Sequence, residues 1–218
     1  MLLRAAIAAV LLLAARKPGD ITEFELSSEG HRPQAIAPGP DGNLWVSEVI
    51  KHKIVKITPA GQITEFPVPS KSVGVIQGIA AGPDGAIWFT SREENMIRRM
   101  TTAGEFKIPS GAADKNSPVV GSWPREIAQG PDGNLWFAEM GANKIARITP
   151  KGEITEFPLP TPDSKPYCVV SGPDKALWFT ESGVDKIGRI DPKSGTITEF
   201  PLPAAKSFSG KQCKLLPG

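Results

Sequence analysis

GPDGNLWFAE at 130–139 recurs as GPDGNLWVSE at 39–48, GPDGAIWFTS at 82–91 and GPDKALWFTE at 172–181. The tryptophans of the four copies, Trp45, Trp88, Trp136 and Trp178, step by 43, 48 and 42 residues. Periods of that size belong to propeller blades and related arrays. Around the third copy the chain reads WPREIAQ at 123–129, NLWFAE at 134–139, NKIARITP at 143–150 and GEITEFPLP at 152–160, four strands separated by turn signals.

Pro131 fixes one φ and Gly133 tolerates a positive φ, so GPDG predicts a tight turn joining the first two strands. The run Leu135-Trp136-Phe137 does not alternate with polar residues, which predicts a strand buried on both faces, as in a sheet packed between two similar sheets. The recurring tryptophans are therefore read as packing between blades. The third strand repeats as KIVKI at 53–57, MIRRM at 96–100, KIARI at 144–148 and KIGRI at 186–190, with cations assigned to a solvated rim. The ITEFP strand, at 63–67, 154–158 and 197–201 with a degenerate copy at 104–106, closes on proline and is placed outermost, where proline and glutamate discourage edge pairing. The fold class is all-β: a β-propeller of four-stranded antiparallel blades, four of them recognisable. A β-sandwich would not require the same tryptophan and turn in every repeat.

The 22 glycines and 22 prolines keep phase with the repeats, so they mark turns rather than disorder. A net charge of +2, evenly spread, argues against a nucleic-acid surface. Residues 1–16 carry Arg4 and then an apolar run from Ala5 to Ala15, the pattern of a secretory signal and too short for a stable membrane span. The expected location is therefore periplasmic or extracellular. Cys168 and Cys213 lack redox or zinc spacing; buried thiols are the default, and in an exported protein they could pair.

Counted as strands A to D, the chain has one leading D strand at 20–25, four full blades ending near Pro203, and an irregular tail at 204–218 that interrupts the next repeat. Three readings stay open: an incomplete copy of a larger propeller, which is favoured, four blades closing on themselves, or two chains assembling a ring. An open arc would expose apolar blade faces suited to self-association.

The phrases GPDGNLWF, WFTE, KIGRI and ITEFPLP resemble the streptogramin lyase family, that of virginiamycin B lyase, and more loosely the NHL-type propellers; the resemblance runs from residue 20 to about 203. It implies a seven-bladed propeller that binds Mg²⁺ at its axis and opens a cyclic depsipeptide by elimination. A base takes a proton α to a carbonyl, the metal steadies the enolate, and the alkyl oxygen bond breaks. The family's base is a His fourteen residues before a glutamate of the WFTE type. In this sequence the matched positions are Gln34, Gln77, Arg125 and Tyr167, none a ready base near neutral pH. The two histidines, His31 and His52, fall outside that register and read as loop residues.

Glu48, Glu139 and Glu181 end the second strand in three blades, and a ring of such carboxylates is a candidate site for Mg²⁺; Ser91 breaks it. The alternative is that each caps a strand and meets the basic KIxRI strand. Gln34, Gln77, Arg125, Glu126 and Tyr167 open the innermost strands and are the candidate ligand-binding residues at the channel mouth, because they vary where Ile36, Ile79, Ile127 and Val169 repeat. Trp123 is out of phase and is assigned to loop packing near the entrance. Two functions remain in view: a streptogramin-lyase-like elimination without its matched base, or non-catalytic binding of a small molecule, peptide or protein. A metal-dependent lactonase is a weaker third.

Overall fold

The computed structural model describes residues 21–24, 26, 32–69, 75–107 and 121–203. The expected signal at 1–16, the tail at 204–218, His31 and Cys213 lie outside the described residues. Four antiparallel sheets of four strands each follow in chain order. Blade 1 comprises β1 (Pro33–Pro38), β2 (Leu44–Glu48), β3 (Lys53–Ile57) and β4 (Ile63–Pro67). Blade 2 comprises β5 (Ile76–Ala81), β6 (Ile87–Ser91), β7 (Met96–Met100) and β8 (Phe106–Lys107). Blade 3 comprises β9 (Pro124–Gln129), β10 (Leu135–Glu139), β11 (Lys144–Ile148) and β12 (Ile154–Pro158). Blade 4 comprises β13 (Pro166–Ser171), β14 (Leu177–Glu181), β15 (Lys186–Ile190) and β16 (Ile197–Pro201). Strand order within each blade follows the sequence, and β1, β5, β9 and β13 lie side by side from blade to blade, so the ITEFP strand is outermost as expected. No helix among the described residues is long and apolar enough to cross a membrane.

The recurring motif is a clip. In each copy the aspartate of the turn accepts a hydrogen bond from the tryptophan indole N–H: Asp41 from Trp45, Asp84 from Trp88, Asp132 from Trp136 and Asp174 from Trp178, at 2.9 to 3.0 Å. The indole then lies against the first glycine of the turn, and a Cβ on Gly130 would sit 2.4 Å from the Trp136 ring. The second glycine carries the positive φ that the turn requires, 74° at Gly133; in the fourth copy Lys175 takes it at 60°, a conformation costly for a residue with a Cβ.

The cations of the third strand are not a solvated rim. Arg99 and Arg189 pair with the turn carboxylates Asp84 and Asp174, and Lys56 and Arg147 lie over the Trp45 and Trp136 rings at 5.5 Å. The outermost strand supplies a phenylalanine beside each of these two rings, stacked at 5.6 Å for Trp45 and Phe66 and 5.3 Å for Trp136 and Phe157, and the same cation lies over it at 5.6 and 5.8 Å. Quadrupole and cation together hold these two indoles in one orientation.

Each tryptophan then packs into the following blade. Trp45 shares a cluster with Ile79, Ile87 and Phe89, Trp88 with Ile127, Leu135 and Phe137, and Trp136 with Val169, Leu177 and Phe179. These three indoles are fully buried, whereas Trp178, with no described blade beyond it, is half-buried. The leading segment is not assigned as a strand, but Phe24 packs on Gly61 of blade 1 as Phe66 packs on Gly104 of blade 2 and Phe157 on Gly195 of blade 4. Residues 21–24 thus hold the outermost position of a preceding blade.

Asp132→Ala strands a buried indole N–H and is expected to lower stability in urea unfolding by about 1–3 kcal/mol. Asp174→Ala should cost less, because the half-buried Trp178 can turn its N–H to water.

Candidate functional site

The inner strands are short, alternate only in part, and carry a register irregularity near their first residues, opposite the end of the second strand. A hydroxyl on the second strand meets that irregularity. Ser47 accepts from the Ala35 N–H and donates to the Gln77 carbonyl, while Thr90 accepts from the Gly78 N–H and donates to the Arg125 carbonyl at 2.7 Å. One side chain therefore satisfies its own inner strand and clasps the next. Gly78 is needed for that approach, since a Cβ there would lie 2.8 Å from the Glu126 Cα. Blade 3 departs from the pattern, with Ala138 in place of the hydroxyl and Glu126 where the other blades have Ala35, Gly78 and Cys168.

The four inner strands enclose one cleft of about 270 Å³. Its wall is Ala, Ile, Val and Pro, including Ile36, Ile79 and Ile127, and its polar side chains are Glu126 and Gln129. Burial raises the Glu126 carboxyl to about 7 against the opposing pull of Arg125. It is the ionisable side chain facing this cleft.

The other expected channel residues lie beside the cleft rather than in its wall. Gln77, Arg125 and Tyr167 form a buried chain across blades 2, 3 and 4: Arg125 donates to Gln77 Oε1 at 2.6 Å and its guanidinium lies over the Tyr167 ring at 4.9 Å. Gln34, in blade 1, is exposed. His52 sits in a turn at φ 52°, and Trp123 is an exposed loop residue beneath the Arg92 guanidinium. Cys168 is disulfide-bonded, not the free thiol taken as the default.

The three glutamates of the second strand are all buried, one to a blade, and meet different fates. Glu48 accepts from the N–H groups of Arg32, Ile50 and Lys51. Among the described residues Glu139 and Glu181 accept none. In blades 3 and 4 the corresponding N–H belongs to Gly141 and Gly183, and it is spent on the Ser122 and Ser164 carbonyls at 2.9 Å. The lysines that face these glutamates across the sheet pair instead with the outermost strand, Lys53 with Glu65, Lys144 with Glu156 and Lys186 with Glu199. Burial, with the Glu156 charge adding to it, pushes the Glu139 carboxyl up to about 8. Burial also raises Glu181; nearby Ser164 opposes this in part, although its hydroxyl donates to the Thr161 carbonyl. Among the described residues no three His, Cys, Asp or Glu side chains gather about one point.

The virginiamycin B lyase family model matches residues 14–207. The chain belongs to that family. Among solved structures, virginiamycin B lyase from Staphylococcus aureus is 38% identical with a TM-score of 0.77, covering 86% of this chain and 61% of that one. A catalytically inactive variant of that enzyme, solved with quinupristin, is 41% identical with a TM-score of 0.78 and the same coverage. A streptogramin B lyase structure is 36% identical with a TM-score of 0.73, covering 84% of this chain and 59% of that one. The chain thus spans about three-fifths of the length of these family members. No curated protein sequence matches it at significance.

The raised carboxyls set a pH dependence. Glu139 folded holds its proton up to about pH 8, whereas unfolded it releases it near 4.5, so the folded state binds more protons between those values. The contribution is fully present below the unfolded value and is lost as pH rises through the folded one; Glu126, raised to about 7, acts in the same direction. The melting temperature is expected to fall between about pH 5 and about pH 8. Glu139→Gln should match the parent near pH 5 and exceed it by a few degrees, about 2–4 °C per kcal/mol recovered, near pH 8.

Proposed function

We propose that this chain binds a cyclic depsipeptide of the streptogramin B type in the cleft between its inner strands, and that residues 32–203 do not themselves open the ring. The observation that carries the binding half is the convergence of four separate inner strands on one apolar cleft with a carboxyl group and an amide in its wall. Ligand sites are commonly apolar concavities with a few placed polar groups. Family membership and the quinupristin complex of the S. aureus variant support the choice of ligand class.

The positions matched to the family's base support the second half. Gln77 and Arg125 are tied to each other and Tyr167 lies against Arg125, so three of the four matched side chains form a buried brace, and none is a residue type that serves as a general base near neutral pH. In this reading the brace fixes the mouth of the cleft, and Glu126 offers its carboxyl group to the amide groups of the bound ring.

The test is titration with quinupristin by calorimetry, with chromatography of the same mixture. Saturable binding is expected, weakened about tenfold or more, roughly 1.4 kcal/mol, by Ala128→Trp, which fills the cleft. No linear product should form. Absence of binding by folded protein would overturn the proposal. Ring opening abolished by Glu126→Gln would overturn its second half and make Glu126 the base.

A further inference from the structure

Among the described residues Arg125 is the one cation that is buried, at 8% exposed. The paired cations of the third strand each meet a carboxylate, as Arg99 meets Asp84 and Lys144 meets Glu156. Arg125 makes no ion pair with any described residue. Its one hydrogen bond runs from Nη1 to the neutral Gln77 amide. Its Nε is sealed from water without a partner, whereas Nη2 donates to no described atom and is not sealed. A charge is costly to bury unless it is paired and hydrogen-bonded. The Tyr167 ring at 4.9 Å eases that cost without supplying a counter-charge.

A second guanidinium stands beside the first. Burial and, after it, the Arg92 charge lower the proton affinity of Arg125, against the pull of Tyr167, Glu93 and Glu126. Arg92 also has an Nε sealed from water without a hydrogen bond. Glu93 Oε1, at 3.5 Å, is too far for a good one, and Glu93 Oε2 accepts from the Val75 N–H. The Arg92 guanidinium lies over the Trp123 ring at 5.7 Å. Trp123 stands at φ 45°, its own N–H donating to Asn95 Oδ1 at 2.9 Å. Lys165 holds the same place in blade 4 at φ 48°, so the backbone turn is shared and the indole is what blade 3 adds. Each arginine is thus backed by an aromatic ring from the next blade, and the ion pair of Arg92 with Glu93 is the one the two possess among the described residues. They lie at the end where β5, β9 and β13 begin, outside the wall of the apolar cleft.

We infer that Arg125 and Arg92 form a second binding site, separate from the cleft, for the carboxylate group of a small organic acid. The carboxylate takes donors that the two guanidiniums leave unused and supplies the counter-charge that the described fold does not give Arg125. Guanidinium donors match the two coplanar oxygens of a carboxylate. Gln77 and Tyr167 hold the Arg125 side chain in place, so binding does not have to order it.

Titration of the full chain with N-acetylglycine and, separately, with N-acetylglycinamide tests this, because the second replaces the carboxylate of the first by a neutral amide. Binding is followed by calorimetry and by tryptophan fluorescence. Saturable binding of the acid is expected, about tenfold or more tighter than that of the amide. Arg125→Gln should weaken it about tenfold or more and Arg92→Gln about fivefold. Arg92 is only half-buried, so its variant decides the matter should Arg125→Gln fail to fold. Ala128→Trp, which fills the cleft, should leave the affinity for the acid unchanged, which keeps this result separate from the outcome with quinupristin. No binding of the acid, equal binding of acid and amide, unchanged affinity in the folded arginine variants, or loss of binding in Ala128→Trp would overturn the inference. Inorganic phosphate binding more tightly than the acid at equal ionic strength would overturn the assignment to a carboxylate.

Discussion

The hydrogen bond from each motif tryptophan to the aspartate of its own turn is the constraint on which the rest of the structure depends. It joins a turn, a strand and an interface through one side chain. The aspartate is held in place by the turn, the indole is held by the aspartate, and the first glycine leaves room for the ring to lie flat. With the indole fixed on one face, every blade acquires a donating and a receiving side, and stacking in one sense follows. Stability is then close to a sum of blades and junctions, as in other repeat proteins. The cation and phenylalanine that meet the Trp136 ring belong to the third and fourth strands, so the clip also ties the outer half of the blade to the inner half.

The central cleft is where that regularity is broken. In blades 1 and 2 a hydroxyl clasps neighbouring inner strands and the residue at the irregularity is small. In blade 3 the hydroxyl is absent and the small residue is replaced by Glu126, which brings a carboxyl group with a neutral-range proton affinity into an apolar wall. A repeat that served packing alone would have no reason to place a charge there, since its burial opposes folding. Departures from local consistency of this kind are expected where a binding site has been set into a scaffold.

Much of the fold was legible in the sequence because its signals are local. The turn from Pro131 and Gly133, the doubly buried Leu135-Trp136-Phe137 and the edge-marking Pro158 each depend on residues within a single hairpin, and the structure places all three as read. The candidate site was less legible. Arg147 looks like a surface cation until the third strand is set beside the turn, where Trp136 and Asp132 receive it. Gln77, Arg125 and Tyr167 vary from blade to blade, which marked them as functional, yet their contacts with one another span three blades and have no trace in spacing. Glu126 was identified as a channel residue, but nothing in the string separates it from its neighbour Arg125, which turns into the brace.

The same limit explains why one sequence position yields three different carboxylates. Glu48, Glu139 and Glu181 end equivalent strands, and a ring of equal ligands is the natural reading of the repeat. One difference lies in the second residue after each. Ile50 leaves its N–H facing back toward Glu48. Gly141 and Gly183, lacking a Cβ, settle against the preceding loop so closely that an added Cβ would meet the Gly121 or Asp163 carbonyl oxygen at 2.0 and 2.2 Å, and their N–H groups turn to Ser122 and Ser164. One of the three donors that Glu48 has is thereby lost to Glu139 and Glu181. Burial is left to act with little opposition, and both groups favour the proton. A glycine that settles against the preceding loop thus takes a donor from a side chain two residues away, so a repeat can keep a carboxylate in sequence while changing its hydrogen bonding from blade to blade.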